Sequence, residues 1–290
     1  MRRQRSNWVK FSLALSTILA IAMLAIPARA LQVSLLPNNP HLGDTLSILI
    51  QQSSTISSLP TVKIGQNTYP AYQSSSGSFR ALVPTTPLDK PGNLQIQVVG
   101  EGETKTLTVP LRNRSFPTQR IRLSGAAGAE ATPHELDRVA AFKKLETPEK
   151  FWNGSFLKPN QGSISAGYGI RRYYNGVFAN DYYHRGVDYA GGTGSPVVAP
   201  APGRIALVGR VSEGFRVHGN VVGIDHGQGV TSIMLHLSRI DVKEGDFVQA
   251  GQRIGAVGST GAATGPHLHW GLYVHGLSVD PVPWRYKGFE

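Results

Sequence analysis

After residue 30, apolar residues recur at helical spacing only once in this 290-residue chain, between Thr132 and Glu146. The rest reads as short extended segments broken by glycine, proline, serine and asparagine, with 33 glycines to supply turns. Such a chain has to bury itself by stacking sheets, because period-two alternation gives a strand one apolar face. The expected class is mainly β. There is no cysteine, which excludes a disulfide framework, a lipid-anchored lipoprotein and any thiolate metal site. A metal, if bound, must be taken by histidine and carboxylate.

Residues 1–30 stand apart. "MRRQRSNWVK" is a basic leader, "FSLALSTILAIAMLAI" an apolar run, and "PARA" an A-x-A site at Ala28 and Ala30. This is the pattern of a secretory signal peptide cut after Ala30. The run is short for a membrane span and carries Ser and Thr, so an uncleaved anchor is the less favoured reading. The expectation is an exported protein of periplasm or cell wall, with no stable membrane span after cleavage. Five of the 29 basic residues belong to this leader. The formal charge of +11 therefore falls to +6, with 24 basic against 18 acidic residues. That balance suits an anionic surface such as cell wall. No Lys/Arg run with interleaved aromatics follows, and nucleic acid is not expected as a partner.

Residues 31–123 read as a β-sandwich: "DTLSILIQ", "SFRALVP", "NLQIQVVG" and "TKTLTVPL" alternate or carry β-branched runs, and none proposes chemistry. Residues 124–157 form a linker with one helix. Thr132 is its expected N-cap, Pro133 its first residue, and Glu135 the partner closing a capping box. "HELDR" begins like a zinc H-E-x-x-H motif, but Arg138 occupies the second histidine position, so His134 and Glu135 are read as first-turn residues. From residue 158 to 290 the chain is glycine-rich and β. "GNVVGIDHGQGVTSIMLHLS" reads as two strands joined at Gly227-Gln228-Gly229. "PVVAPAPGRIALVG" and "FVQAGQRIGAVG" form a faint internal repeat.

Three clusters in this last stretch carry chemistry. In "TGPHLHWGL", strand alternation puts His267 and His269 on one face and Leu268 on the other. In "YYHRGVDYA", His184 and Asp188 stand four apart, with Gly186 between them to permit a tight turn; they make half of a zinc site. In "SIMLHLS", His236 lies near a strand end, sharing a face with Met234, while Leu235 and Leu237 share the other. A hydrolytic zinc site needs three protein ligands and groups that move protons. His184, Asp188 and one of the H-x-H pair supply ligands, leaving the other histidine and His236 for acid–base work. Tyr168, Tyr173, Tyr174, Tyr182 and Tyr183 surround the His184 loop and are read as lining a groove. Arg171 and Arg172 are placed to meet carboxylates or solvent. His41, His218, His226 and His275 receive structural readings.

Together these segments resemble the lysostaphin-type, or LytM-domain, zinc metalloendopeptidases. "SAGYGIRR", "HRGVDYAGGTGSPVVAPAPGRI", "GNVVGIDHGQG" and "VKEGDFVQAGQRIGAVGSTG" follow that family's order, and the likeness runs from about Pro159 to Trp284. The resemblance implies a C-terminal antiparallel sheet of the LytM type (duplicated-hybrid-like) and, more loosely, an Ig-like fold for the sandwich. It implies that His184, Asp188 and His269 bind zinc. His236 and His267 would be the catalytic pair, acting on a zinc-bound water as nucleophile. Met234 and Leu235 depart from the family pattern and are expected to reshape the groove. The activity implied is hydrolysis of peptide cross-links in bacterial peptidoglycan. The D-alanyl–diaminopimelate bond is favoured over a glycine bridge because no wall-binding repeat is present. All five site positions are filled, which favours an enzyme over the alternative, a silent or latent wall-binding regulator that activates another hydrolase. The N-terminal domain is where a cell-wall regulator would dock.

Overall fold

The structure, a computed structural model, describes residues 31–51, 59–74, 77–100, 102–122 and 130–289; the leader read as a signal peptide lies outside them. Among the described residues no helix is long and apolar enough to cross a membrane.

The N-terminal half is built from two four-stranded antiparallel sheets. One runs in the order Gln32–Leu36, Thr45–Gln51, Phe79–Pro84, Tyr72–Gln73; the other Asn67–Pro70, Thr61–Ile64, Gly92–Gly100, Glu103–Leu111. Alternation decides which side chains meet between them. Leu46, Ile48 and Ile50 from one strand and Phe79, Ala81 and Val83 from another pack against Val62, Ile96, Val98 and Val109 of the facing sheet. The strand Phe79–Pro84 is buried on both faces, and its alternate residues serve the other half of the molecule. Leu82 belongs to the C-terminal core, and Arg80 hydrogen-bonds the Phe289 carbonyl and the Gln228 amide oxygen with its guanidinium 5.1 Å over the Trp152 ring.

The C-terminal half centres on a sheet ordered Ile164–Ala166, Val187–Ala190, His267–Val274, Val230–Leu235, Val221–Gly227, Gly203–Gly209, Phe247–Val248, with Leu277–Val279 also pairing with His267–Val274. The hairpin expected at residues 227–229 is present; Gln228 and Gly229 have φ of 50° and 73°, the two positive values a type I′ turn needs. The faint repeat has a structural meaning. Pro196–Val198 pairs with Arg253–Ala256, and Gly203–Gly209 pairs with Phe247–Val248, so each copy lends one strand to the other.

Two elements from before residue 158 are built into this half. Thr118–Ile121 pairs in parallel with Arg171–Tyr174, although it lies in the stretch read as the first domain. The helix α1 (Pro133–Lys143) buries Val139 and Phe142 against Leu207, Phe215, Val221, Ile233 and Tyr273. Residue 223 must be glycine for this to happen, since a Cβ there would stand 2.7 Å from the Phe142 ring. The capping box is made only in part. Thr132 Oγ1 accepts from the Glu135 N–H at 3.1 Å, but the Glu135 carboxylate does not turn back to the cap. It goes instead to the loop at residues 216–218, where three successive N–H groups offer a stronger set of partners.

Candidate active site

The strand His267–Val274 organises the site. His269 lies directly opposite Asp188 on one neighbouring strand and opposite Leu235 on the other. Directly opposed residues have Cβ atoms about 4.5–5.5 Å apart, which brings a histidine and a carboxylate together without any loop. His184 arrives from the turn ahead of the Asp188 strand, its N–H bonded to the Ile170 carbonyl. Gly186 works by close approach rather than by a tight turn as the spacing suggested. A Cβ there would stand 2.4 Å from the Trp270 carbonyl and 2.7 Å from His269 Nε2.

Three donor atoms converge. His184 Nε2 is 3.0 Å from Asp188 Oδ1 and 3.1 Å from His269 Nδ1, and His269 Nδ1 is 2.8 Å from Asp188 Oδ1. All three residues are buried. Burial opposes ionisation of Asp188, but the close approach of the His184 and His269 imidazoles holds it well below the usual carboxylate range. Burial pushes His269 down to about 4. His184 donates Nδ1–H to the Gly167 carbonyl at 2.7 Å, because a carbonyl can only accept, and this turns the lone pair of Nε2 inward. The donor set fits zinc: ligands at ~2.0–2.1 Å in a tetrahedron stand roughly 3.3 Å apart, within a few tenths of the triangle observed.

Two more imidazoles face this centre. His267 Nδ1 donates to the Gly265 carbonyl and His236 Nδ1 to the Thr260 carbonyl, both at 2.8 Å, so in the neutral form of either ring the lone pair lies on Nε2. His267 Nε2 lies 3.9 Å from Asp188 Oδ1, and the His236 and His267 rings are 4.9 Å apart. Burial, reinforced by His267 and His269, pushes His236 down to about 3, which keeps it neutral at neutral pH. All five residues singled out in the sequence line one groove of about 420 Å³.

Some expectations need correction. Met234 is part of the hydrophobic core and does not line the groove, whereas Leu235 does, beside His236. His236 has φ 64°, so the chain leaves the strand there and alternation ends one residue early. Of the five tyrosines, only Tyr174 and Tyr182 line the groove. Tyr168 and Tyr183 are buried with both hydroxyls on the Ser278 carbonyl, and Tyr173 packs on Phe178 and Arg120. Arg171 turns to the Asn180 carbonyl and the Phe178 ring, while Arg172 enters the groove.

Support from α1 had no signal in the sequence. Glu135, fully buried, accepts N–H bonds from Arg216, Val217 and His218 at 2.9, 3.0 and 2.6 Å, and its carboxylate also pairs with His218 Nδ1 at 2.6 Å. Burial alone would raise this carboxyl; hydrogen bonds from His218 and Arg216 bring it down to about 2. The His218 carbonyl then accepts the His236 N–H at 3.1 Å. Leu136 and Lys143 of the same helix line the groove.

Residues 182–281, which hold all five site residues, match the profile of peptidase family M23. This stretch is an M23 domain. The domain resembles the DD-carboxypeptidase/endopeptidase Mpg of Neisseria meningitidis serogroup B, with 46% identity over 99 residues, 34% of this chain and 22% of that protein. It also resembles the peptidoglycan DD-endopeptidase ShyA of Vibrio cholerae, with 42% identity over 99 residues and the same 34% and 22% shares. The chain thus spans under a quarter of the length of these curated relatives. Beyond the M23 domain, the whole fold is similar to the crystal structure of a Pseudomonas aeruginosa protein assigned to peptidase M23. That likeness has a TM-score of 0.65 at 25% identity and covers 87% of this chain and 96% of that one.

Proposed function

We propose that this chain is an exported zinc-dependent endopeptidase that cuts peptide cross-links of peptidoglycan at the D-alanyl–diaminopimelate bond. One observation carries the reading. His184, Asp188 and His269 converge in a groove where two further histidines, His236 and His267, each have Nδ1 bound to a backbone carbonyl. The names of the relatives, a peptidoglycan DD-endopeptidase and a DD-carboxypeptidase/endopeptidase, support the substrate class.

Zinc held by His184, Asp188 and His269 would supply Lewis-acid polarisation of the scissile carbonyl and acidify water at neutral pH. The remaining work belongs to the chain. Among the described residues Asp188 is the only acidic one lining the groove, and as a ligand it would not be free to act as general base. The pair His236 and His267 takes that role: a neutral imidazole with Nδ1 tied to a carbonyl has only Nε2 with which to accept the proton of an attacking water. Once protonated, the same nitrogen can hand the proton to the departing amine. The hydrogen bonds to the Gly265 and Thr260 carbonyls favour that tautomer in both rings.

The test is to incubate residues 31–290 with purified sacculi and measure newly exposed amino groups, with and without a chelator. Cleavage should stop on chelation and return with zinc, and mass spectrometry of the fragments should show D-alanine at the new carboxyl end. Fragments ending in glycine would reject the bond assignment. Zinc-loaded protein that releases no amino groups would reject the enzyme in favour of a wall-binding regulator.

A further inference from the structure

The groove contains a cation that the chemistry above does not use. Arg172 projects from the strand Arg171–Tyr174, with its side chain only 13% exposed although it lines the groove. Its Nε donates to Gln119 Oε1 at 3.2 Å, and Gln119 is its parallel cross-strand partner, so the guanidinium is held from a segment outside the M23 domain. The two terminal nitrogens are poorly served. Nη1 is 3.5 Å from the Tyr174 hydroxyl and Nη2 is 3.9 Å from Asp188 Oδ2. Charge-assisted bonds are shorter, ~2.7–2.9 Å. At 3.9 Å, Asp188 Oδ2 is an ion-pair partner of this charge but stands beyond hydrogen-bond reach of the fork. A largely buried guanidinium fork in this state is suited to receive a planar anion. The field around it agrees, since Lys143 and Arg185 line the same groove and Asp188 is its one acidic residue among those described.

We propose that Arg172 receives a free carboxylate on the substrate residue that contributes the amine of the scissile amide. The inference rests on reading the site as a peptidase. It follows from where a charge can sit beside a peptide bond. On the acyl side, the carboxyl group nearest the bond is the one being cut. On the amine side, the carbon bearing the nitrogen can also bear an unblocked carboxylate, two bonds from the scissile nitrogen. Arg172 stands next to the ligand Asp188 and is therefore in reach of that group. The substrate class is peptides whose amine-side residue keeps its α-carboxylate, whether a chain terminus or the free end of a diamino-acid cross-link. Polyglycine bridges, and cross-links whose carboxylate is amidated, fall outside it.

The experiment compares two soluble cross-linked peptides that differ only in α-carboxylate or α-carboxamide at the amine-side residue. Zinc-loaded wild type, Arg172→Gln and Arg172→Lys are assayed for cleavage. Binding is titrated separately with the matching non-hydrolysable reduced-amide analogues. Wild type should favour the carboxylate by about 10- to 100-fold in kcat/KM and in affinity, the size of a charge-assisted hydrogen bond. Arg172→Gln should lose that preference through KM, with the carboxamide peptide cut within about threefold of wild type, and Arg172→Lys should recover part of it. Equal affinity of wild type for the two analogues would overturn the inference. So would an Arg172→Gln loss that is equal for both peptides or accompanied by loss of zinc, since Arg172 would then be serving Asp188. A carboxylate preference in binding without cleavage of either peptide would retain the inference and reject the hydrolase.

Discussion

His236 is the groove residue whose backbone is least ordinary. It is one of four described non-glycine residues with positive φ, the others being Asn175, Gln228 and His275, and the only one of the four lining the groove. An L residue in the left-handed region is tolerated best when it is Asn, Asp or His. The conformation is held from both sides, by the N–H on the His218 carbonyl and by Nδ1 on the Thr260 carbonyl. Its purpose is orientation: continued alternation would send the side chain toward Met234 and the core. The informative substitution is therefore His236→Asn, which keeps the backbone preference and removes the imidazole. It should retain one zinc per chain and lower kcat on cross-linked peptide by on the order of 100-fold or more, the usual worth of a general base. Asp188→Ala and His184→Ala should lose zinc and activity together. Metal analysis beside the cleavage assay separates the two outcomes, and loss of zinc from His236→Asn would contradict the role given to it.

At the scale of elements, the helix α1 looks like a linker in sequence and acts as a wall and clamp in space. Thr132 Oγ1 accepts from Glu135 and donates to the Gly214 carbonyl at 3.0 Å, while Glu135 gathers the three N–H groups that follow. The loop at 214–218 is thereby fixed to the helix, and the His218 carbonyl fixes His236. Glu135→Gln leaves the shape nearly unchanged but puts an amide N–H₂ among donors. It should cost about 1–3 kcal/mol of stability and lower kcat by on the order of 10-fold through misplacement of His236. Zinc content should not change, and denaturant unfolding together with metal analysis checks both. What the sequence disclosed, and what it hid, follows the reach of local signals. The helix was legible from Thr132, Pro133 and the spacing of Leu136, Val139 and Phe142. The shared face of His267 and His269 followed from period two. The partner of Glu135 was not legible, because it lies more than 80 residues away and a backbone N–H has no sequence signature. The face of His236 was misread because its own left-handed backbone ends the alternation at Leu235.

For the molecule as a whole, the decisive test is how acid unfolds it. The two halves share buried contacts through Leu82, Arg80 and the Trp284 indole on Thr45 Oγ1 at 3.1 Å, so their unfolding should be coupled. Two titrating groups away from the ligand triad set the acid limb. His226 is fully buried, packed 4.9 Å from the Phe156 ring, with Nδ1–H donated to the Pro202 carbonyl and Nε2 accepting from the Ser232 hydroxyl. Burial pushes it down to about 4, against ~6.5 in an unfolded chain. As pH falls from about 6.5 to 4, the unfolded state binds a proton that the native state refuses. Stability should fall by up to about 1.4 kcal/mol per pH unit and roughly 3 kcal/mol in all. Glu135, held at about 2, adds a second loss as pH falls from about 4.5 toward 2. His226→Gln isolates the first stage. It should be less stable than wild type near pH 7, because a designed hydrogen-bond fit is lost, yet its stability should depend less on pH by about one proton between pH 6.5 and 4.5. Titration of the remaining groups is common to both proteins and cancels in the difference. Urea unfolding across that range measures the two slopes, and parallel slopes would mean that His226 takes up its proton without leaving the core.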